Sequence, residues 1–219
     1  MVSNIELFDI HLHVLVVGYF LLRKIVQCFN HSLLPRHHRC RHHQCKLHRL
    51  AIAACDLGSI SERRTDRMLD VNRSMGLPAF LAFNAGVDSG LMIAQYTQAS
   101  MVSENKRLAV PASVDSIPSS AMQEDHVSMG WNAARKLRIA INNLRRILAI
   151  EILTATRAID FRAPLTASPA LMNVHAQVRK VVSRPGPDKV LADEMKLVDD
   201  LAKSLSMRRA AELVTGPLN

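Results

Sequence analysis

An all-α fold is what this sequence predicts, and three observations predict it. Val127, Trp131, Ala134, Leu137, Ile141, Leu144, Leu148, Ile152, Ala155 and Ile159 recur at spacings of three and four, an apolar seam sustained for more than four heptads. The other apolar stretches are bracketed by helix start and stop residues, with Pro and Gly between them. Evidence for strands is negligible.

The elements follow in order from Leu50. Leu50, Ala53, Ala54, Leu57 and Ile60 form a helical stripe that continues to Met68 and Leu69. Gly58 and the Ser59-x-x-Glu62 pattern allow a break there, but one continuous helix is the better reading. Asn72 to Pro78 is a turn punctuated by Gly76 and Pro78. Asp88 or Ser89 is placed to cap a helix that runs to about Leu108, before Pro111. Ser113 to Ala121, broken by Pro118, reads as loop, and the polar string Gln123-Glu124-Asp125-His126 is expected to open the long seam helix. No Pro interrupts that helix before Pro164, so about 36 residues would give a rod roughly 54 Å long. Such a rod needs antiparallel neighbours to cover its apolar stripe, from this chain or from other subunits. Ser168-Pro169 then starts a helix to about Val182, Pro185-Gly186-Pro187 turns the chain, and a last helix spans roughly Val190 to Leu205.

Composition divides the 219 residues in two. Net charge is +9, yet residues 1–50 hold seven Lys/Arg against two acids while the remaining 169 hold 21 against 17. Eight of ten histidines and three of four cysteines also precede Leu50, which leaves Cys55 alone in the body and argues against a secreted disulfide framework. A reduced, cytoplasmic setting is the expectation. The apolar run His13 to Leu22 is too short to cross a bilayer, and Glu6, Asp9 and His11 make a poor signal-peptide start, so no membrane role is expected.

The stretch Pro35 to Arg49 holds His37, His38, Cys40, His42, His43, Cys45 and His48, all residue types that zinc accepts. Cys40 and Cys45 lack a second ligand pair at zinc-finger spacing, and Arg36, Arg39, Arg41, Lys46 and Arg49 would repel a dication. Compositional accident is the favoured reading, with no metal. Nucleic-acid binding is disfavoured because the run has no aromatic residues to stack on bases.

Five collinear blocks carry a family likeness: LGSISERRTDRMLD (Leu57 to Asp70), GLPAFLA (Gly76 to Ala82), SGLMIAQYTQASMVSENK (Ser89 to Lys106), ASVDSIPSSAMQEDHVSMG (Ala112 to Gly130) and AARKLRIAINNLRRILAIEIL (Ala133 to Leu153). From about Leu50 onward the chain resembles the aromatic amino acid ammonia-lyases, over roughly the last third of a family chain. Within them, the Gln123-Glu124-Asp125 string resembles the histidine branch, where relatives acting on phenylalanine or tyrosine usually carry Asn-Gln-Asp. A carboxylate suits an imidazole because it accepts a charge-assisted hydrogen bond from the ring.

The resemblance implies a C-terminal fragment of the long-helix bundle fold of the ammonia-lyases (fumarase/aspartase-like), with an irregular, non-family segment at residues 1–49 and the helical domain at 50–219. The abrupt start of the likeness is expected to reflect an out-of-frame reading of upstream nucleotides. It further implies elimination of ammonia from L-histidine to trans-urocanate in a homotetramer, Glu124 as the catalytic carboxylate facing the imidazole, and Gln123 beside it as a substrate-binding residue. The family's electrophile, 4-methylideneimidazol-5-one (MIO), forms from an internal Ala-Ser-Gly. Ala99-Ser100, Ala112-Ser113 and Ala167-Ser168 are followed by Met101, Val114 and Pro169, so this chain is expected to be inactive alone. The alternative is a non-catalytic helical subunit that assembles with complete lyase chains. Asp88, Leu91 and Met122 depart from the usual family pattern, and Met122 stands just before Gln123. Arg63-Arg64 and Glu104-Asn105-Lys106 read as scaffold ion pairs, Tyr96 and Trp131 as packing residues.

Overall fold

The computed structural model describes residues 40–217 apart from Ser113 and His126. Among these residues it is all α-helical: α1 (Cys40–Leu69), α2 (Met92–Leu108), α3 (Gly130–Phe161), α4 (Pro169–Arg179), α5 (Leu191–Ser204) and α6 (Ser206–Thr215), with one 3₁₀ turn at Ala79–Leu81.

The first three helices form a tight bundle. Leu47, Ala51 and Ala54 of α1 pack on Ala133, Ala134, Leu137, Ile141, Leu144 and Leu148 of α3. Further along, Ser61 of α1 donates to Glu151 of α3, so both helices advance in the same direction. Helix α2 runs against them: Gln98 Nε2 donates to the Ile147 carbonyl at 2.9 Å, and Asn105 Nδ2 to the Ala140 carbonyl at 3.2 Å. The antiparallel neighbour demanded by the α3 seam is thus supplied within the chain. Gly58 sits where α1 meets α3, and a Cβ there would lie 3.3 Å from Ile147 Cδ1. The unbroken α1 therefore uses glycine for close approach rather than for a bend.

Beyond this bundle, Ala149 and Leu153 of α3 bury against Val178 and Val182 at the end of α4, Val198 and Ala202 of α5, and Met207 of α6. Arg145 Nε donates to Asp199 Oδ1 at 2.7 Å and ties α3 to α5. Burial pushes the Asp199 carboxyl up, but hydrogen bonds from Arg145 and Lys203 outweigh it and hold the group below its ordinary range.

Several expectations need correction. Helix α3 starts at Gly130, so the Gln123 string lies in a loop several residues upstream and does not open the helix. Helix α2 starts at Met92, later than an Asp88 or Ser89 cap would place it. A distant residue serves its start instead: the Asp188 carboxylate accepts the N–H groups of Ser89 (2.6 Å) and Gly90 (2.9 Å). Those bonds, that from Ser89 first, hold the Asp188 carboxyl below its usual range. Tyr96 and Trp131 do not pack; they are 63% and 74% exposed. Leu137, Ile141 and Leu144 take the core face of α3, and Trp131 shares the exposed flank of Arg135 and Arg138. The helix expected over roughly Val190 to Leu205 forms as α5, ending at Leu205, whose φ of 61° is left-handed; α6 after it is a further helix that was not expected.

Residues 40–49 form the first turns of α1, which continues unbroken past position 50. The apolar run His13 to Leu22 and the ligand types His37 and His38 lie outside the described residues. Among the described residues no group of three His, Cys, Asp or Glu is placed to hold a metal ion, and no helix is long and apolar enough to cross a membrane.

Candidate active-site loop

Residues 109–129 link the end of α2 to the start of α3. At their centre the chain closes a tight turn. Ser119 N–H donates to the Glu124 carbonyl at 2.9 Å, and Glu124 N–H donates back to the Ser119 carbonyl at 3.2 Å. Gln123 N–H donates to the Ser120 carbonyl at 3.2 Å inside this loop. Downstream, the Ser116 hydroxyl accepts the Val127 N–H at 3.0 Å, fastening the exit arm of the loop to its entry arm. Lys136 of α3 reaches across to the Val110 carbonyl at 2.5 Å and anchors the loop base to the helix.

Gln123, Glu124 and Asp125 are all exposed in the single chain, while His126 lies outside the described residues. Gln123 and Glu124 therefore lie in a backbone-clamped turn, held by main-chain hydrogen bonds rather than by a helix start. Between the clamping residues the backbone is left-handed three times in succession, with φ of 55° at Ser120, 54° at Ala121 and 70° at Met122. Ser116 and Ser119 were not legible as site residues, since a serine in a polar loop carries no distinguishing signal. Only their cross-loop bonds reveal them.

The scaffold beneath is a ladder of buried polar contacts. Glu151 has no exposed surface; it accepts Ser61 Oγ at 2.5 Å and Arg64 NH2 at 2.8 Å, with Arg64 Nε also bonded to it. Glu62 is clasped by Arg63 and by Gln95 Nε2 at 2.6 Å. Asn143 Nδ2 donates to Asn105 Oδ1 at 3.0 Å and Glu104 Oε2 at 2.8 Å. These contacts fix the sliding register of three apolar helices, and through α2 and α3 they fix both ends of the loop. The residues expected to form scaffold ion pairs do so at Arg63, Arg64 and Glu104, the last through a 3.8 Å contact with Arg107.

This helical scaffold and its loop correspond to a known family. The family model described as aromatic amino acid lyase matches residues 37–180, and the chain belongs to that family. Histidine ammonia-lyase of Streptomyces avermitilis is 68% identical over 170 residues, covering 77% of this chain and 33% of the relative. That of Symbiobacterium thermophilum is 54% identical over 169 residues, with the same coverages. Among solved structures, histidine ammonia-lyase from Trypanosoma cruzi superposes with a TM-score of 0.75 at 42% identity, over 78% of this chain and 34% of that one. Tyrosine aminomutase from Streptomyces globisporus gives a TM-score of 0.77 at 34% identity, over 81% and 34%. The chain spans about a third of the length of the curated relatives it matches.

The residues present do not fit formation of the family's MIO group. Ala-Ser-Gly does not occur in the 219 residues, and Ala99-Ser100-Met101 lies inside α2. Ring closure needs a close approach of the third residue's nitrogen, which glycine permits.

Proposed function

We propose that this chain supplies the carboxylate-bearing helical part of a histidine ammonia-lyase, the enzyme that eliminates ammonia from L-histidine to give trans-urocanate. The observation that carries the reading is the turn that presents Gln123 and Glu124 from a clamped loop, in a chain 68% identical to a histidine ammonia-lyase over the segment containing it. Glu124 accepts a charge-assisted hydrogen bond from the substrate imidazole, orienting the ring and offering a site for its proton. Gln123 donates and accepts beside it. Residues 50–219 form the lyase-like domain, and the assembly is a cytoplasmic homotetramer.

On this reading the 219-residue chain alone produces no urocanate. A fusion of the preceding part of the Streptomyces avermitilis lyase to residues 50–219 restores urocanate absorbance from L-histidine, and Glu124→Gln in that fusion lowers kcat/KM by about 100-fold or more. A folded, oligomeric fusion with no activity, or an unaffected Glu124→Gln variant, would reject the proposal.

A second reading, a non-catalytic subunit joining complete lyase chains, is favoured by the exposed apolar side chains Ile52 and Ile60 on α1 and Ile93 and Tyr96 on α2. Co-purification of tagged chain with a complete lyase, without any change in activity per complete subunit, would support it.

A further inference from the structure

We propose that Met122 is a positioning residue whose left-handed backbone sets the direction in which Glu124 is presented. The functional weight of this inference rests on the reading of Glu124 given above; its structural content does not. A left-handed residue other than glycine brings Cβ against the following carbonyl, and only Gly, Asn and Asp adopt the region readily. Met122 has neither a short polar side chain nor a missing Cβ, yet its φ is 70°. Its side chain is 73% exposed, so packing returns little to offset the strain. Strained backbone of this kind persists where the surroundings over-determine it.

The surroundings here are the two reciprocal hydrogen bonds between Ser119 and Glu124. They require the intervening four residues to reverse the chain, and Ser120, Ala121 and Met122 do so by remaining left-handed in sequence. Met122 is the last of the three. A change of its φ to the ordinary negative region would redirect the chain just before Gln123 and Glu124 and break the Glu124 bridge. Ser120 and Ala121 lie further from the carboxylate, on the entry side of the turn.

The test uses the full chain and three substitutions. Met122→Asn and Met122→Gly tolerate a left-handed backbone, whereas Met122→Val, being β-branched, opposes it. Amide exchange at Ser119 and Glu124 reads the two bridging bonds. Exchange should slow about 5- to 30-fold in the Gly variant, the range set by the usual cost of a left-handed non-glycine residue, slow also in the Asn variant, and accelerate in the Val variant. Thermal melting should follow the same order by only a few degrees, since the strain is local to one loop. Identical exchange in all four proteins would overturn the proposal. Should Met122→Val fail to fold, the Asn and Gly variants decide alone, since neither adds strain.

A second readout separates positioning from mere loop stability. Titration with imidazolium chloride is followed at the Glu124 side-chain carboxyl carbon by NMR. Its response should be retained in Met122→Asn and fall several-fold in Met122→Val, with the Asp115 and Asp125 carboxyls indifferent. A Glu124 response equal in the Asn and Val variants would overturn the positioning role. If imidazolium perturbs no variant while exchange follows the series, the turn-setting role of Met122 stands and the substrate-facing role of Glu124 falls.

Discussion

Glu151 shows how a single buried charge can decide an alignment. It lies wholly inside the three-helix bundle, where an ionised carboxylate is tolerated only if its oxygens are satisfied. Arg64 and Ser61 do this from α1. Such a pair adds little stability over well-packed apolar residues, but removing one partner strands the other charge. Glu151→Ala should therefore cost about 3–5 kcal/mol in urea unfolding, and Glu151→Gln, which keeps an acceptor for Ser61, distinctly less. An equal loss in the two variants would show that the stranded Arg64 charge, rather than lost volume or the lost acceptor for Ser61, governs the site. In sequence, Arg64 reads as a helix-surface ion-pair former; nothing there reveals a partner 87 positions away. Glu124 differs in this respect. It stands out in sequence because it sits in a contiguous polar string, while the bonds that hold its backbone come from Ser119, whose identity says nothing.

At the scale of elements, patterns of apolar spacing located α1, α2 and α3, and their ends were harder to read. Helix α3 was expected to begin near Val127, because a polar string followed by a seam looks like a capped start. The chain instead uses Ser116 to bind the Val127 N–H and delays the helix to Gly130. The break between α5 and α6 falls at Leu205, which has none of the Gly or Pro punctuation that marks such breaks. The start of α2 is served by Asp188, from the far side of the chain. Gly90, just before α2, is a position that only glycine fits. Its φ is 58°, and a Cβ would come within 2.5 Å of the Phe80 carbonyl oxygen and 2.9 Å of Ala82 N. Both clashes are with backbone, which cannot turn aside, and Leu91 N–H already donates to that same Phe80 carbonyl at 2.9 Å. Gly90→Ala should lower stability by about 2 kcal/mol or more and shift the start of α2. The urea midpoint measures the first effect, and amide exchange at Leu91 the second. Gly58→Ala is the contrasting case, since the 3.3 Å neighbour is the flexible end of Ile147 and alanine favours the helix. It should change stability far less.

The whole molecule is held together across long sequence distances by aspartates, and this gives it a direction of response to acid. Asp188 clips the loop before α5 to the start of α2, and Asp199 joins α5 to α3 through Arg145. Both carboxyls sit below their ordinary range when folded, so the unfolded chain binds protons more readily than the native one. Their contribution is complete above the unfolded value of about 3.9 and is lost as pH falls through the folded values. Burial lowers the pKa of Arg157 and Arg179, but guanidinium groups remain charged across the same range and add no slope there. The net charge of +9 at neutrality rises as carboxylates protonate, and the added self-repulsion acts in the same direction. The melting temperature should thus be nearly level from pH 7 to about 5 and fall steeply below about 4. Asp199→Asn should begin lower at neutral pH and fall less on acidification, because part of the acid-sensitive stabilisation is already gone. Asp188→Asn should behave likewise, since an amide oxygen accepts less strongly than a carboxylate from Ser89 and Gly90. Parallel melting curves for the wild type and both variants across the whole pH range would show that these two clasps do not carry the acid response.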